Sequence, residues 1–552
     1  MHSANQGNES AKNNQSLRAG IAFFAPVISA LAIGIFFSNY VVPLSYLNAQ
    51  IIQVTPKSEG KLIEENYDVI TIRDASGKDQ KVGYVHYEVR ELQGNEKGLI
   101  RAKKTLKMRV QRGKDTSEID EEYSTDENAK NEVVGIFIRQ KLGTNQFSIR
   151  RGKLNGSRME FTSEGLGEKS DAPWDKSILG VRGENNFFKN KKYQSGDSFD
   201  YMVFIHSLTY PNKVHLQIDK LEQVQLLGKS KTLRKITLIP YKIKAQTTDK
   251  KPFEIQLPSS TSWIDPKTNE ILLTETDFPG MGLIRIQRGS IKDAMAPNGK
   301  LPELISNQSI RVSKVIANIE TANAIKYRIS VKTPLSDIKK MVAEDARQSI
   351  EESGRNQITL EVEAIRDPKS VSAPKKVGEE YLQSNYFINS DDPKVQKFAK
   401  LAIGLEIDPW RKAQRIEKWV HDHMQTSSYT EALATADHVA KTLTGDCTEY
   451  AMLAAAMCRA VKIPSRTAIG LIYVNDRKIG PMMAFHMWTE VFVNNQWLAL
   501  DATRGFGSVG PDHLKITDHH WHKIRTFDPL LPVTNFILSK PTIDIITVRQ
   551  PN

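Results

Sequence analysis

A chain of 552 residues is too long for one hydrophobic core, so two to four domains are expected. Its composition, 39% hydrophobic and 25% charged, is that of an ordinary folded protein. The net charge of +12 is moderate, and its Lys and Arg are interleaved with Glu and Asp, which argues for a solvated surface and against a nucleic-acid partner.

Two cysteines, Cys447 and Cys458, exclude a disulfide framework. On one helix their spacing puts them about 16 Å apart, beyond the roughly 7 Å that a disulfide tolerates between Cα atoms.

Residues 1–49 read as an address. A polar start carrying Lys12 and Arg18 is followed by an uncharged stretch, with residues 19–44 as its apolar part. The segment lies between a secretory signal and a spanning helix. Leu47-Asn48-Ala49 is a poor cleavage site because Leu is large where a small residue is needed. An uncleaved membrane anchor is therefore expected, with a cleaved secretory signal as the alternative, and the basic residues inside and the body outside the cytoplasm, in the periplasm or cell envelope.

Residues 50–290 read as a β-rich antiparallel region. Short alternating runs such as Leu99–Val110, Val133–Arg139 and Arg234–Ile243 are punctuated by Asn-Gly, Ser-Gly and Gly-Lys turns. His86, His206 and His215 are isolated strand histidines, Glu118–Glu122 reads as a solvated acidic loop, and the basic run 101–112 as a solvated edge. Residues 291–380 read as a small α+β segment with a linker. Strands are expected at Val315–Ile319, Ile325–Val331 and Gln357–Ile365, and a helix over Pro334–Ile350.

Residues 381–552 carry the chemistry. Asp392-Pro393 and Asp408-Pro409 each start an amphipathic helix. Thr444-Gly445-Asp446 then delivers Cys447 onto the first turn of an apolar helix reaching Ala460. A helix N-terminus favours the thiolate, so a depressed thiol pKa is expected there. Cys458, three turns further on, reads as an inert core thiol. Downstream, His486, Trp488 and Glu490 share one face of a strand, and Phe485, Met487, Thr489 and Val491 the other. An Asn494-Asn495 turn returns the chain to Asp501, close enough to pair with His486. A thiol, an imidazole to take its proton and a carboxylate to orient the imidazole are the parts of nucleophilic acyl transfer. The tail run His519-His520-Trp521-His522 lacks a completed ligand set and reads as a solvent-facing loop, with a final strand or two after Asp528.

Gly445-Asp446-Cys447, Arg459–Arg466, His486-Met-Trp-Thr-Glu490 and Trp497-Leu-Ala-Leu-Asp501, in that order, resemble the transglutaminase-like superfamily of papain-fold cysteine enzymes over roughly residues 390–515. Bacterial members with an N-terminal apolar segment are the nearest in layout. The resemblance implies an α+β fold of helices on an antiparallel sheet. It makes Cys447 the nucleophile, His486 the general base and acid, and Asp501 the orienting carboxylate. It implies Arg466 and Glu490 as structural, paired internally. No calcium-binding stretch is matched, so no metal or cofactor is expected. The expected substrate is a protein or peptide carboxamide, resolved by water or by an amine. The rival expectation is a noncatalytic envelope scaffold with a vestigial triad.

Overall fold

The computed structural model describes residues 60–551, apart from residues 75, 113–114, 144–145, 164–168, 207–209, 247–251, 280, 302–308, 333–337, 368–376, 427–432, 478–479 and 523–527. The apolar segment 19–44 lies outside the described residues. Among the described residues no helix is long and apolar enough to cross a membrane.

Among the described residues, Ile243–Gln246 pairs separately with Pro252–Ile255, and fifteen of the strands between Lys61 and Gly289 form one sheet. All its neighbours are antiparallel except Ile178–Leu179, which runs parallel to Ser198–Ile205. The first strand, Lys61–Arg73, pairs with the last, Gly282–Gly289. The two sheet edges, Lys169–Pro173 and Ile178–Leu179, are joined by so short a connection that they lie within about 20 Å of each other. The sheet therefore curls back towards itself. Helix α1 (Val181–Lys189) packs on the strands Ile100–Arg112 and Asp115–Glu127. Glu127 accepts the N–H groups of Arg182 and Gly183, both at 2.8 Å, and so caps α1.

Two expectations fail here. The acidic run 118–122 lies within a strand, not a loop, and the basic run 101–112 is an interior strand, not an edge. The two pair directly, with Lys107 opposite Asp120 and Arg109 opposite Glu118. Opposite charges facing across a ladder make both sequences compatible with the sheet interior. Glu121 points inward, where it meets the buried His206, which stacks on Tyr123 at 4.4 Å.

The rest of the chain is α+β. Helix α2 (Ile291–Met295), capped by Ser290, leaves the large sheet. A five-stranded sheet then contains β1 (Ile310–Arg311), β2 (Ser465–Asp476), β3 (Gly480–Val493), β4 (Gln496–Leu500) and β5 (His513–His519). Its order is β1-β3-β2-β5, with β4 also on β3. A four-stranded sheet is built from Gln348–Ser353, Gln357–Glu363, Ala324–Ser330 and Thr542–Arg549, so the last strand of the chain returns to the segment before the helices. Helices α3 (Pro393–Ile403), α4 (Pro409–His423), α5 (Ala436–Thr442) and α6 (Cys447–Ala460) pack together, and α6 lies on β3.

The helix expected over 334–350 is not formed among the described residues. Ile338–Met341 is a single 3-10 turn and Gln348–Ser353 is a strand. Here tertiary bonds override helical spacing. The Gln348 amide donates to Ala343 O and Lys515 O, and Arg347 reaches Gly510 O at 2.8 Å. Val315–Ile319 is likewise no strand: Asn318 is left-handed at φ 49° and begins a 3-10 turn. The tail forms α7 (Leu531–Leu538) before its strand. Trp521 is fully buried, its indole N–H on Thr467 at 2.8 Å, so that run is not simply a solvent-facing loop.

Candidate active site

Helix α6 starts where the sequence indicates. Asp446 accepts the Thr448 N–H at 3.1 Å, and Glu449 reaches back to the Asp446 N–H at 3.0 Å, closing a capping box. Gly445 sits at φ 152°, and a Cβ there would fall 2.4 Å from the Glu449 Cβ, so the box requires glycine. Cys447 is the first helical residue and fully buried, as is most of α6. Cys458 is buried in the same helix.

The thiol meets β3 at a gap in the sheet. β1 pairs with Met482 and Met483, and β4 with Thr489 to Val493, leaving 484–488 without a described strand on that side. On the other edge the Phe492 N–H bonds Pro464 O. Backbone groups alternate along an antiparallel strand, so Met487 directs its N–H into the gap. There it donates to the Cys447 sulfur.

His486 is the next residue back. Thr489 donates to Ala451 O of α6, so the odd-numbered face of β3 covers the helix and His486, Trp488 and Glu490 lie on the other. His486 Nε2 is 2.9 Å from Asp501 Oδ2, and both residues are buried. The turn that brings them together is Asn494-Asn495, both left-handed at φ 51° and 64°, as a tight hairpin demands. Asp501 follows β4 directly. Its Oδ1 accepts the Thr503 N–H at 3.0 Å and hydroxyl at 2.7 Å, and its own N–H donates to Glu417 Oε1 at 3.0 Å. His486 Nδ1 is buried and has no hydrogen-bond partner among the described residues. The structure thus joins His486 to Asp501, and seats Cys447 beside the same strand without bonding it to the imidazole.

The electrostatics differ from the expectation of a depressed thiol. Burial, then the Asp446 carboxylate, push the Cys447 thiol well above its usual value, against the opposing Met487 N–H. At this helix start burial and the Asp446 charge outweigh the hydrogen bond that Met487 gives the sulfur. Burial also lowers the His486 pKa, outweighing Asp501. Burial opposes ionisation of Asp501, but the two histidines beside it hold it well below the carboxylate range. The resting arrangement is a neutral thiol and a neutral imidazole with an open Nδ1 lone pair.

Several groups escaped sequence reading. Glu417 carries an acid on the buried face of α4, a detectable signal, and its carboxylate also takes the Gly507 N–H at 2.7 Å. His513 contacts the same Asp501 oxygen at 3.2 Å, and its other nitrogen lies 2.9 Å from Asp512. Nothing local marks it. His486, Asp501 and His513 offer three ligand-type atoms within 4.8 Å of one another, already joined by N–H···O bonds. Further along the same face, Glu490 binds Arg466 at 2.7 Å and Lys515 at 2.9 Å, and Arg466 also binds Asp518. The expected Arg466–Glu490 pair is therefore present, within a larger network.

Residues 396–502 match the model of the Transglutaminase-like superfamily. The match includes Cys447, His486 and Asp501 and stops short of Asp512 and His513. No curated protein matches the chain. Among solved structures, the chain is similar to a candidate cysteine protease from Cytophaga hutchinsonii at 18% identity and TM-score 0.26, covering 36% of this chain and 78% of that one. A β-barrel-like protein from Brucella abortus with a domain of unknown function gives 12% identity and TM-score 0.30, covering 42% and 97%. A candidate protease from Parabacteroides distasonis gives 13% identity and TM-score 0.17, covering 64% of each chain. The transglutaminase-like segment supplies α3 to β4, and the residues after it add β5.

Proposed function

We propose that this chain is a transglutaminase-like cysteine enzyme that transfers or hydrolyses acyl groups at peptide or carboxamide carbonyls. The observation that carries the reading is the state of His486: Nε2 is held by Asp501 while Nδ1 is open, on the strand that also contacts the Cys447 thiol. An imidazole oriented by a carboxylate, with its second nitrogen open, is what a general base for a thiol requires.

In the proposed reaction Nδ1 takes the thiol proton and the sulfur attacks the carbonyl carbon. The tetrahedral intermediate collapses as the imidazolium gives that proton to the departing amine or ammonia, leaving a thioester on Cys447. Water or a second amine, deprotonated by His486, then displaces the sulfur, and the proton returns to the thiol. Asp501 orients the ring and supports its charged form. The proposed setting is outside the cytoplasm, with residues 19–44 as a membrane anchor and a protein or peptide as substrate.

A second reading is a noncatalytic envelope scaffold. It is favoured by the complete burial of Cys447, His486 and Asp501. Capture of a dansylated amine into a glutamine-peptide library, run beside peptide-cleavage mass spectrometry, separates the two. Cys447→Ala is expected to abolish the wild-type signal and Cys458→Ala to keep it. A wild-type protein inactive in both assays, or a Cys447→Ala variant as active as wild type, overturns the enzyme.

A further inference from the structure

Asp501 Oδ2 is shared by two histidines, and they differ in what occupies their second nitrogen. His513 Nε2 lies 3.2 Å from Asp501 Oδ2 and its Nδ1 2.9 Å from Asp512 Oδ1. Ionised carboxylates only accept hydrogen bonds, so a ring with a carboxylate at each nitrogen must carry both protons. His486 faces one carboxylate and keeps a bare Nδ1. We propose that His513 is a positioning residue of the site, a buried imidazolium that locks Asp501 as a carboxylate and, by its positive charge, keeps His486 neutral with Nδ1 open to accept a proton. The inference rests on the reading of His486 as the general base.

The surroundings fit a fixed charge. Asp512 is buried and also receives Arg504 at 3.0 Å. Burial acts against its ionisation, but His513 and the arginines Arg504 and Arg347 hold its pKa at about 2. For His513 itself burial lowers the pKa, and Asp512 and Asp501 more than restore it. The other titratable groups facing this cluster are Tyr327, whose hydroxyl bonds Pro511 O, Glu417 behind Asp501, and the Cys447 thiol. Rings His486 and His513 lie 5.6 Å apart, with Trp488 against both. A unit charge at that distance shifts an imidazole by about one pKa unit or more. The sign is unambiguous: removing a cation beside His486 favours its protonated form, so its pKa rises.

The test is nitrogen-15 NMR of the full chain with labelled histidine, the two signals assigned by their loss in His486→Gln and His513→Gln. Expected at pH 7 is one doubly protonated ring that disappears in His513→Gln. In that variant the His486 titration should move up by about one pH unit. Asp512→Asn, which keeps the shape, should render the His513 ring neutral at pH 7. Because Glu417 titrates nearby, the His486 shift is repeated in a Glu417→Gln background, and disappearance of the shift there overturns the proposal. A neutral His513 at pH 7 in the wild type overturns it, as does an unmoved His486 titration in His513→Gln with unchanged circular dichroism. The titrations need no turnover. An inactive protein that shows them refutes the enzyme reading alone; an active one with a neutral His513 refutes this inference alone.

Discussion

Glu417 and Asp501 are tied through the backbone: Glu417 Oε1 accepts the Asp501 N–H at 3.0 Å while Oε2 accepts that of Gly507 at 2.7 Å. One helix side chain therefore sets the position of the strand end from which the Asp501 carboxylate reaches His486. Burial, then the charge of Asp501, push the Glu417 carboxyl up to about 8.

That raised value has a consequence for stability. Between the ordinary glutamate range and about pH 8 the folded state binds one proton more than the unfolded state at Glu417, so its contribution weakens as pH rises. The slope is at most about 1.4 kcal/mol per pH unit. Thermal unfolding from pH 5 to 8 should show wild type losing ground relative to Glu417→Gln. Parallel curves would show that Glu417 does not titrate there.

Cys447 should be a slow thiol. It is fully buried and its pKa is raised by burial and Asp446. Iodoacetamide should modify native protein at pH 7 at least about tenfold more slowly than free cysteine, and faster as pH climbs beyond the ordinary thiol range. Mass spectrometry of the Cys447 peptide reads this directly, and rapid labelling at pH 7 would contradict it.

The Glu490 network should be intolerant of partial removal. Glu490 and Lys515 are buried, and Glu490 holds both Lys515 and Arg466. Glu490→Ala removes the carboxylate both cations share, leaving Lys515 to Asp345 and Asp518 and Arg466 to Asp518, and is expected to cost about 1–3 kcal/mol. Urea denaturation followed by tryptophan fluorescence measures it. A loss below about 1 kcal/mol would place the network among weak surface pairs.

At Gly470 the strands β2 and β5 leave no room for a side chain. A Cβ there would fall 2.0 Å from Leu514 O, one residue from His513. Gly470→Ala cannot be absorbed by a side-chain rotation. It should cost more than the usual overpacking range of about 1–3 kcal/mol. It should also disturb the His513 signal by NMR. A stable variant with an unaltered His513 would show that the strands can part locally.

Much of the C-terminal region was legible because its signals are local. Asp392-Pro393 and Asp408-Pro409 start α3 and α4 with side-chain caps in place, at 2.9 Å to Lys394 N and 2.8 Å to Arg411 N. Asn494-Asn495 turns a hairpin because both residues accept positive φ. The failures came where distant partners decide. Helical spacing at 334–350 lost to bonds from Arg347 and Gln348 across 163 and 167 residues of chain. The charged runs at 101–112 and 118–122 read as solvated singly, and as a ladder only when paired.

The sequence alone determined the local elements that present the candidate side chains: a capped helix bearing Cys447, and a hairpin bearing His486 and Asp501. Only the tertiary structure decided their protonation. Burial and the Asp446 charge raise the Cys447 thiol, and a second histidine from β5 shares the Asp501 carboxylate. Both depend on desolvation and on contacts between segments far apart in the chain, which residue order does not encode locally.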